Sequence, residues 1–248
     1  MIANNAPHHY EFLLKSSQRF TLGQVYNSEL SMSREIALNN MITQQLRTGD
    51  VLDASILELY QTLPRETFLP VQYQAFAYSD MQIPLNHNQR MLTPLEEGKV
   101  LQALALTGNE TVLEVGTGTG FLTALLSRLC KKVISIDCFA DMTAMARQNL
   151  AAHQCTNVEL ITGDACNGWL DLAPFDAIVF TGAIESITQT HRLQVLPGGK
   201  LFAIVGKEPV MEGQLHSLDH ADNWQHQVIF DTNIPPLINK LKHKDFVF

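Results

Sequence analysis

Three glycines in five positions, Gly116, Gly118 and Gly120, stand in the stretch "VLEVGTGTGFL", after a short apolar run and before an apolar helical pattern. Where a chain turns from strand to helix without side chains, its backbone can approach a ligand at the helix N-terminus. Asp137 closes "VISID" and Asp164 closes "LITGD". If these runs are neighbouring strands, both carboxylates line the crevice onto which the glycines open. A carboxylate after the second strand can accept both hydroxyls of a ribose, and one after the third suits the exocyclic amine of adenine. Glu114, just before the glycines, can meet an ammonium group. Each acid alone is more often an ordinary helix cap or solvated strand end, and a glycine-rich turn alone is a weak signal. Together they describe a pocket for a nucleoside carrying a cationic amino-acid tail. The GxGxG spacing, rather than GxGxxG, speaks against a dinucleotide pyrophosphate.

These residues need a sheet to position them. From Thr111 onward "TVLEV", "KVISID", "NVELITGD", "FDAIVFTGA" and "GGKLFAIVG" read as strands, alternating with "FLTALLSRLC", "MTAMARQNLAAH" and "ITQTHRLQV" as helices. That alternation predicts right-handed βαβ crossovers and an α/β fold, a mostly parallel sheet with helices on both faces. Two late strand-like runs around His216 and Val228, with no helix between them, predict an antiparallel hairpin at one edge. Upstream, Ile36, Met41, Ile42 and Leu46 recur at helical spacing, and Asp53 reads as the N-cap of a helix through Leu63 that stops at Pro64. "IPLNHNQRMLTP" is a long irregular loop, followed by "LEEGKVLQALAL" as an amphipathic helix. The expected organisation is an arm at 1–34 of unassigned role, an N-terminal helical region at 35–106 with a loop at 84–95, and the α/β domain at 107–248.

Composition bounds the partners. The 248 residues are 46% hydrophobic and 17% charged, with mean hydropathy near zero. A net charge of −8, from 17 basic against 25 acidic residues, argues against nucleic-acid phosphates or anionic lipid as a binding partner. No run approaches the roughly 18 apolar residues that span a bilayer, and the N-terminus lacks a signal-peptide pattern. The expectation is a soluble cytoplasmic protein. Cys130, Cys138, Cys155 and Cys166 form no CxxC pair and have no histidine at ligand spacing, so no metal site is expected and the thiols read as reduced. Oligomeric state is left open.

In chain order, "VLEVGTGTG", the strand-end Asp137, "GDA" with Asp164, "APFDAIVFTGA" and "LPGGKLFAIVG" resemble the motifs of class I S-adenosylmethionine-dependent methyltransferases. Upstream, "MITQQLRTGDVLDASILELYQTLPRETFLP" and "AYSDMQIPLNHNQRMLTP" are similar to the N-terminal region of protein-L-isoaspartate O-methyltransferases, and the resemblance runs from about Met41 to Leu237. It implies a Rossmann-like, seven-stranded sheet and methyl transfer from S-adenosyl-L-methionine, leaving S-adenosyl-L-homocysteine. The implied acceptor is the α-carboxylate of isoaspartyl residues in damaged proteins or peptides, and the implied role is repair. Carried over residue by residue, it implies cofactor contacts from Met91, Leu92, Glu114, Gly116, Thr117, Gly118, Asp137, Cys138, Gly163, Asp164, Ala165 and Thr181.

The loop departs from the family's GxGxTISxPH. Aligned without gaps, "NHNQRMLTPL" puts asparagine at both glycines (Asn86, Asn88), Arg90 at the threonine, Leu92 at the serine and Leu95 at the histidine. That serine helps place the acceptor carboxylate, and leucine cannot hydrogen-bond one. Arg90 and Thr93 are the candidate substitutes, although Thr93 projects away from the direction of Leu92 on extended backbone. His87 reads as a surface residue, Trp169 as packing over the third strand end and Cys166 as a small residue near the adenine edge. Thr181 and Gly182 stand where the family touches cofactor or substrate, and "IPPLIN" resembles a segment beside its peptide cleft. The altered loop leaves two alternatives: a methyltransferase of this stock with another acceptor, and a cofactor-binding protein without turnover.

Overall fold

The computed structural model describes residues 32–238. The described residues fall into two units that divide between 37 and 38. The described part of the first, 32–37, is helical; most of the expected arm at 1–34 lies outside the described residues.

In the second unit, a π-helical turn at Met41–Leu46 buries Met41, Ile42 and Leu46. Helix α1 (Ala54–Thr62) starts where expected, because the Asp53 carboxylate accepts the Ser55 N–H at 2.8 Å. Helix α2 (Pro94–Leu104) is fixed by a capping box. The Thr93 hydroxyl accepts from the Glu96 N–H, the Glu96 carboxylate accepts from the Thr93 N–H at 2.7 Å, and Pro94 opens the first turn.

Seven strands then form one sheet in the order β3-β2-β1-β4-β5-β6-β7. They are β1 (Thr111–Val115), β2 (Lys132–Asp137), β3 (Val158–Thr162), β4 (Phe175–Ile184), β5 (Val195–Lys207), β6 (Val210–Leu218) and β7 (Trp224–Thr232). The first five pair in parallel, while β5-β6 and β6-β7 are antiparallel, which is the hairpin edge the late runs predicted. Helices α3 (Phe121–Leu129) and α4 (Ala140–Ala152) connect β1 to β2 and β2 to β3. Right-handed crossovers stepping in one direction put both helices on the same face.

Side chains alternate across the sheet. Val112, Val133, Val179 and Phe202 join one core with α1 to α4, and Leu113, Ile134, Ile178 and Leu201 join a second core on the other face. The first core holds residues from Leu38 to Ile234, so the helical region and the sheet share one interior across the expected boundary at 106/107.

One expected helix is much shorter. "ITQTHRLQV" yields only the single turn α5 (Gln189–Arg192). The Gln194 side chain is drawn out of helical register into bonds with the carbonyls of Asn167 and Thr190 and the N–H of Trp169, and β5 begins at the next residue.

Candidate functional site

Parallel strands end on one edge, and there the ends of β1 and β2, the residues just after β3, and Thr181 and Gly182 of β4 line a crevice of about 610 Å3. Its lining includes Gly116, Gly118, Asp137, Cys138, Gly163, Asp164, Ala165 and Thr181, together with Arg90 from the loop before α2. A smaller crevice of about 340 Å3 adjoins it and takes in Arg90, Met91, Leu92, Glu97, Glu114 and Thr117. Leu85, Arg90, Gly116, Gly118 and Thr181 line both. Every residue expected to touch the cofactor therefore lines one crevice or the other. Thr93 lines neither.

The glycine turn is shaped by its surroundings as well as for a ligand. Gly116 has φ +98°, and a Cβ there would collide with the Thr181 hydroxyl, which bonds the carbonyls of Val115 (3.1 Å) and Gly116 (2.7 Å). Gly120, the N-cap of α3, has φ +83°, and a Cβ would lie 3.1 Å from that of Ala146 on α4. Asp137 is tied to the same turn. Its two oxygens accept the N–H groups of Gly118 (2.9 Å) and Phe139 (3.0 Å). Burial pushes this carboxyl above the usual range while those N–H groups pull it down. Each oxygen keeps a lone pair, so two hydroxyl donors can still be accepted.

Glu114 is fully buried. One carboxylate oxygen accepts from Thr123 (2.5 Å) and Ser135 (2.6 Å), and the other has no partner among the described residues. Burial pushes the carboxyl up to about 7, against those two hydrogen bonds. An orphaned, desolvated acceptor is costly unless a ligand completes it, and an ammonium group is the complement.

Sequence reasoning missed the second acid of this crevice. Glu97 is 2% exposed, and one of its oxygens is likewise without a partner among the described residues. The other lies 3.2 Å from Arg65, itself buried, whose guanidinium also donates to the Leu92 carbonyl at 2.7 Å and sits over the Phe121 ring. Burial raises the Glu97 carboxyl to about 8; Arg65 opposes this, and Glu96 and Glu114 add to it.

The loop itself is a tight turn. His87 (φ +59°) and Asn88 (φ +57°) take left-handed backbone, and the Gln89 N–H bonds the Asn86 carbonyl at 3.1 Å. Asparagine tolerates this conformation, which explains how position 88 dispenses with glycine. His87 is not a bare surface residue. It stacks on Phe139 at 3.7 Å and, with Asn86, hydrogen-bonds Asp141 at the start of α4. At the far wall, Leu237 enters beside Gly182, where a Cβ would approach it to 2.8 Å, and the Leu237 N–H bonds the Ala183 carbonyl at 2.9 Å. Trp169 packs against Gly163, as expected, and Cys166 lines the larger crevice. The loop carrying them is held by His191, whose Nε2 bonds the Cys166 carbonyl at 3.0 Å.

The family model for protein-L-isoaspartate(D-aspartate) O-methyltransferase (PCMT) matches residues 37–234. The chain belongs to this family. Protein-L-isoaspartate O-methyltransferase 1 of Polaromonas sp. is 34% identical over 176 residues, which cover 71% of this chain and 75% of that protein. The protein-L-isoaspartate O-methyltransferase of Koribacter versatilis is 34% identical over 198 residues, 80% of this chain and 89% of the relative. A solved structure titled protein-L-isoaspartate O-methyltransferase shares the fold with TM-score 0.69 at 20% identity, over 84% of this chain and 67% of that one. A second, from Plasmodium falciparum and described as a putative member in complex with S-adenosyl-L-homocysteine, has TM-score 0.67 at 16% identity, over 83% and 98%.

As a PCMT-family member the chain is an S-adenosylmethionine-dependent methyltransferase, and the two alternatives raised by its loop are not favoured. Its residues fit that cofactor, since the orphaned Glu114 oxygen suits an ammonium and Asp137 retains acceptor capacity for two hydroxyls. Within this PCMT-family fold Leu92 belongs to the core at 4% exposure while also lining the smaller crevice. Thr93, the neighbour considered as its substitute, caps α2 instead. Among the described residues no helix is long and apolar enough to cross a membrane, and no cluster of potential ligands could hold a metal ion.

Proposed function

We propose that the larger crevice takes the adenosine of S-adenosylmethionine, the smaller takes its amino-acid end, and the acceptor is the α-carboxylate of an isoaspartyl residue in a damaged cytoplasmic protein. The observation that carries this is the junction of the two crevices at Gly116, Gly118 and Thr181, under a loop that walls both. Asp137 holds the ribose hydroxyls, Asp164 the adenine amine, and Glu114 the ammonium. The cofactor supplies a methyl group already activated on a sulfonium.

The demands on the protein are then modest. A carboxylate acceptor with pKa near 4 is ionised at pH 7, so no residue need act as a base. What the chain contributes is alignment of acceptor oxygen and methyl carbon, and exclusion of water from the ionised oxygen. The buried walls at Val115, Ile136 and Leu92 serve the second task.

A pH dependence follows. Glu114 and Glu97 carry raised pKa values of about 7 and about 8 without ligand. An ammonium beside them favours their ionised forms, so binding releases protons and affinity rises as pH climbs from 6 to 8. Calorimetry with S-adenosylhomocysteine is expected to show that rise, a flatter profile for Glu114→Gln, and no comparable binding of NAD. Tight NAD binding with no response to S-adenosylhomocysteine would defeat the cofactor assignment. Acceptor chemistry is tested by mass spectrometry of an isoaspartyl peptide incubated with S-adenosylmethionine: a base-labile methyl ester is expected, and an unmodified peptide would reject the acceptor.

A further inference from the structure

We propose that Arg90 is the residue that binds and selects the acceptor carboxylate, an inference that rests on the isoaspartyl reading above. Among the described residues the two crevices are lined by four carboxylates, Asp137, Asp164, Glu97 and Glu114, and by one Lys or Arg side chain, Arg90. An anionic acceptor brought into such a cleft is repelled by those of the acids that are ionised and unpaired, and the repulsion grows as water is excluded. One cation at the point of entry reverses the sign locally. Arg90 is placed to do this because it lines both crevices, at the junction where acceptor and cofactor must meet.

Its side chain is exposed, and among the described residues it makes no ion pair or side-chain hydrogen bond. Its backbone is held. Arg90 bridges Pro84, the following Met91 N–H bonds the Ile83 carbonyl at 2.9 Å, and the Leu92 carbonyl is gripped by buried Arg65. On the other side, Asn86 and His87 fasten the tip of the turn to Asp141. A fixed base with a free guanidinium suits bidentate capture of a carboxylate, for which arginine's planar fork is matched and lysine's point charge is not. Thr93 is engaged in the helix cap, and buried Arg65 is directed at Glu97 and the Leu92 carbonyl through one of its nitrogens.

The test compares an isoaspartyl peptide with the same peptide carrying a carboxamide in place of the free α-carboxylate, both bound to the protein saturated with S-adenosylhomocysteine. The wild type is expected to prefer the charged peptide by about ten- to a hundredfold, the range of a hydrogen bond to a charged group. Arg90→Ala is expected to bind the two equally and to lose about the same factor in kcat/KM for methylation. Arg90→Lys is expected to fall between, and S-adenosylhomocysteine affinity to stay within about twofold in both variants. If Arg90→Ala keeps the preference and the rate, the proposal is overturned while the isoaspartyl reading stands. If it weakens S-adenosylhomocysteine but spares peptide discrimination, Arg90 serves the cofactor's own carboxylate and the proposal is again overturned. A wild type that neither binds nor methylates the isoaspartyl peptide removes the isoaspartyl reading itself, and the proposal with it.

Discussion

Replacing Arg65 with alanine is expected to destabilise the protein at pH 9, where Glu97 is ionised, by about 3–5 kcal/mol, the usual cost of removing one partner from a buried ion pair. Arg65 is 1% exposed, and its guanidinium contacts the Glu97 carboxylate, the Leu92 carbonyl and the face of Phe121. Its loss leaves a buried acid and an unpaired carbonyl in a void beneath the loop. The penalty depends on pH. Burial raises Glu97 from 4.5 to about 8, so between those values the folded state holds a proton that the unfolded chain has released, and this group's contribution to stability falls as pH rises. Arg65 is the chief influence opposing that rise. Without it the window extends upward, and the deficit of the variant grows from pH 6 to pH 9. Denaturant unfolding of both proteins at the two pH values measures this. Equal deficits would mean that Glu97 does not titrate with folding.

Asp137→Ala is expected to weaken S-adenosylhomocysteine binding by about 1.5–3 kcal/mol or more, at least about tenfold, because two hydroxyls lose a charged acceptor. The change also releases the N–H groups of Gly118 and Phe139, so the turn that receives the ligand is loosened at the same time. Calorimetry at fixed pH reads the loss directly. An unchanged affinity would show that another carboxylate holds the ribose.

The site was legible where the chemistry lies at strand ends. Asp137 and Asp164 could be placed in one crevice because parallel strands finish on one edge, and the glycines marked the first turn. Asp53 was legible as a cap from its position before an apolar helical pattern. Thr93 can be read as a carboxylate ligand, yet "TPLE" carries the spacing of a capping box, and that local signal explains its hydroxyl. Glu97 was invisible for a different reason. In "LEEGKV" it reads as a solvated helical acid, and it is buried only because Arg65, 32 residues earlier, folds against it. The contacts of His87 with Asp141 and of Leu237 with Ala183 each join positions 54 apart, which no local pattern encodes. The short α5 reflects the same limit, since Gln194 leaves the helix for partners on the loop after β3.

This chain remains an isoaspartyl methyltransferase although Leu92 stands where the family's serine is expected. The direct measurement is the initial rate of methyl transfer from labelled S-adenosylmethionine to an isoaspartyl peptide and to its aspartyl twin, at saturating cofactor. Transfer to the isoaspartyl peptide well above background is expected, with none above background to the twin. Background rates on both, from a protein that still binds S-adenosylhomocysteine, would contradict it.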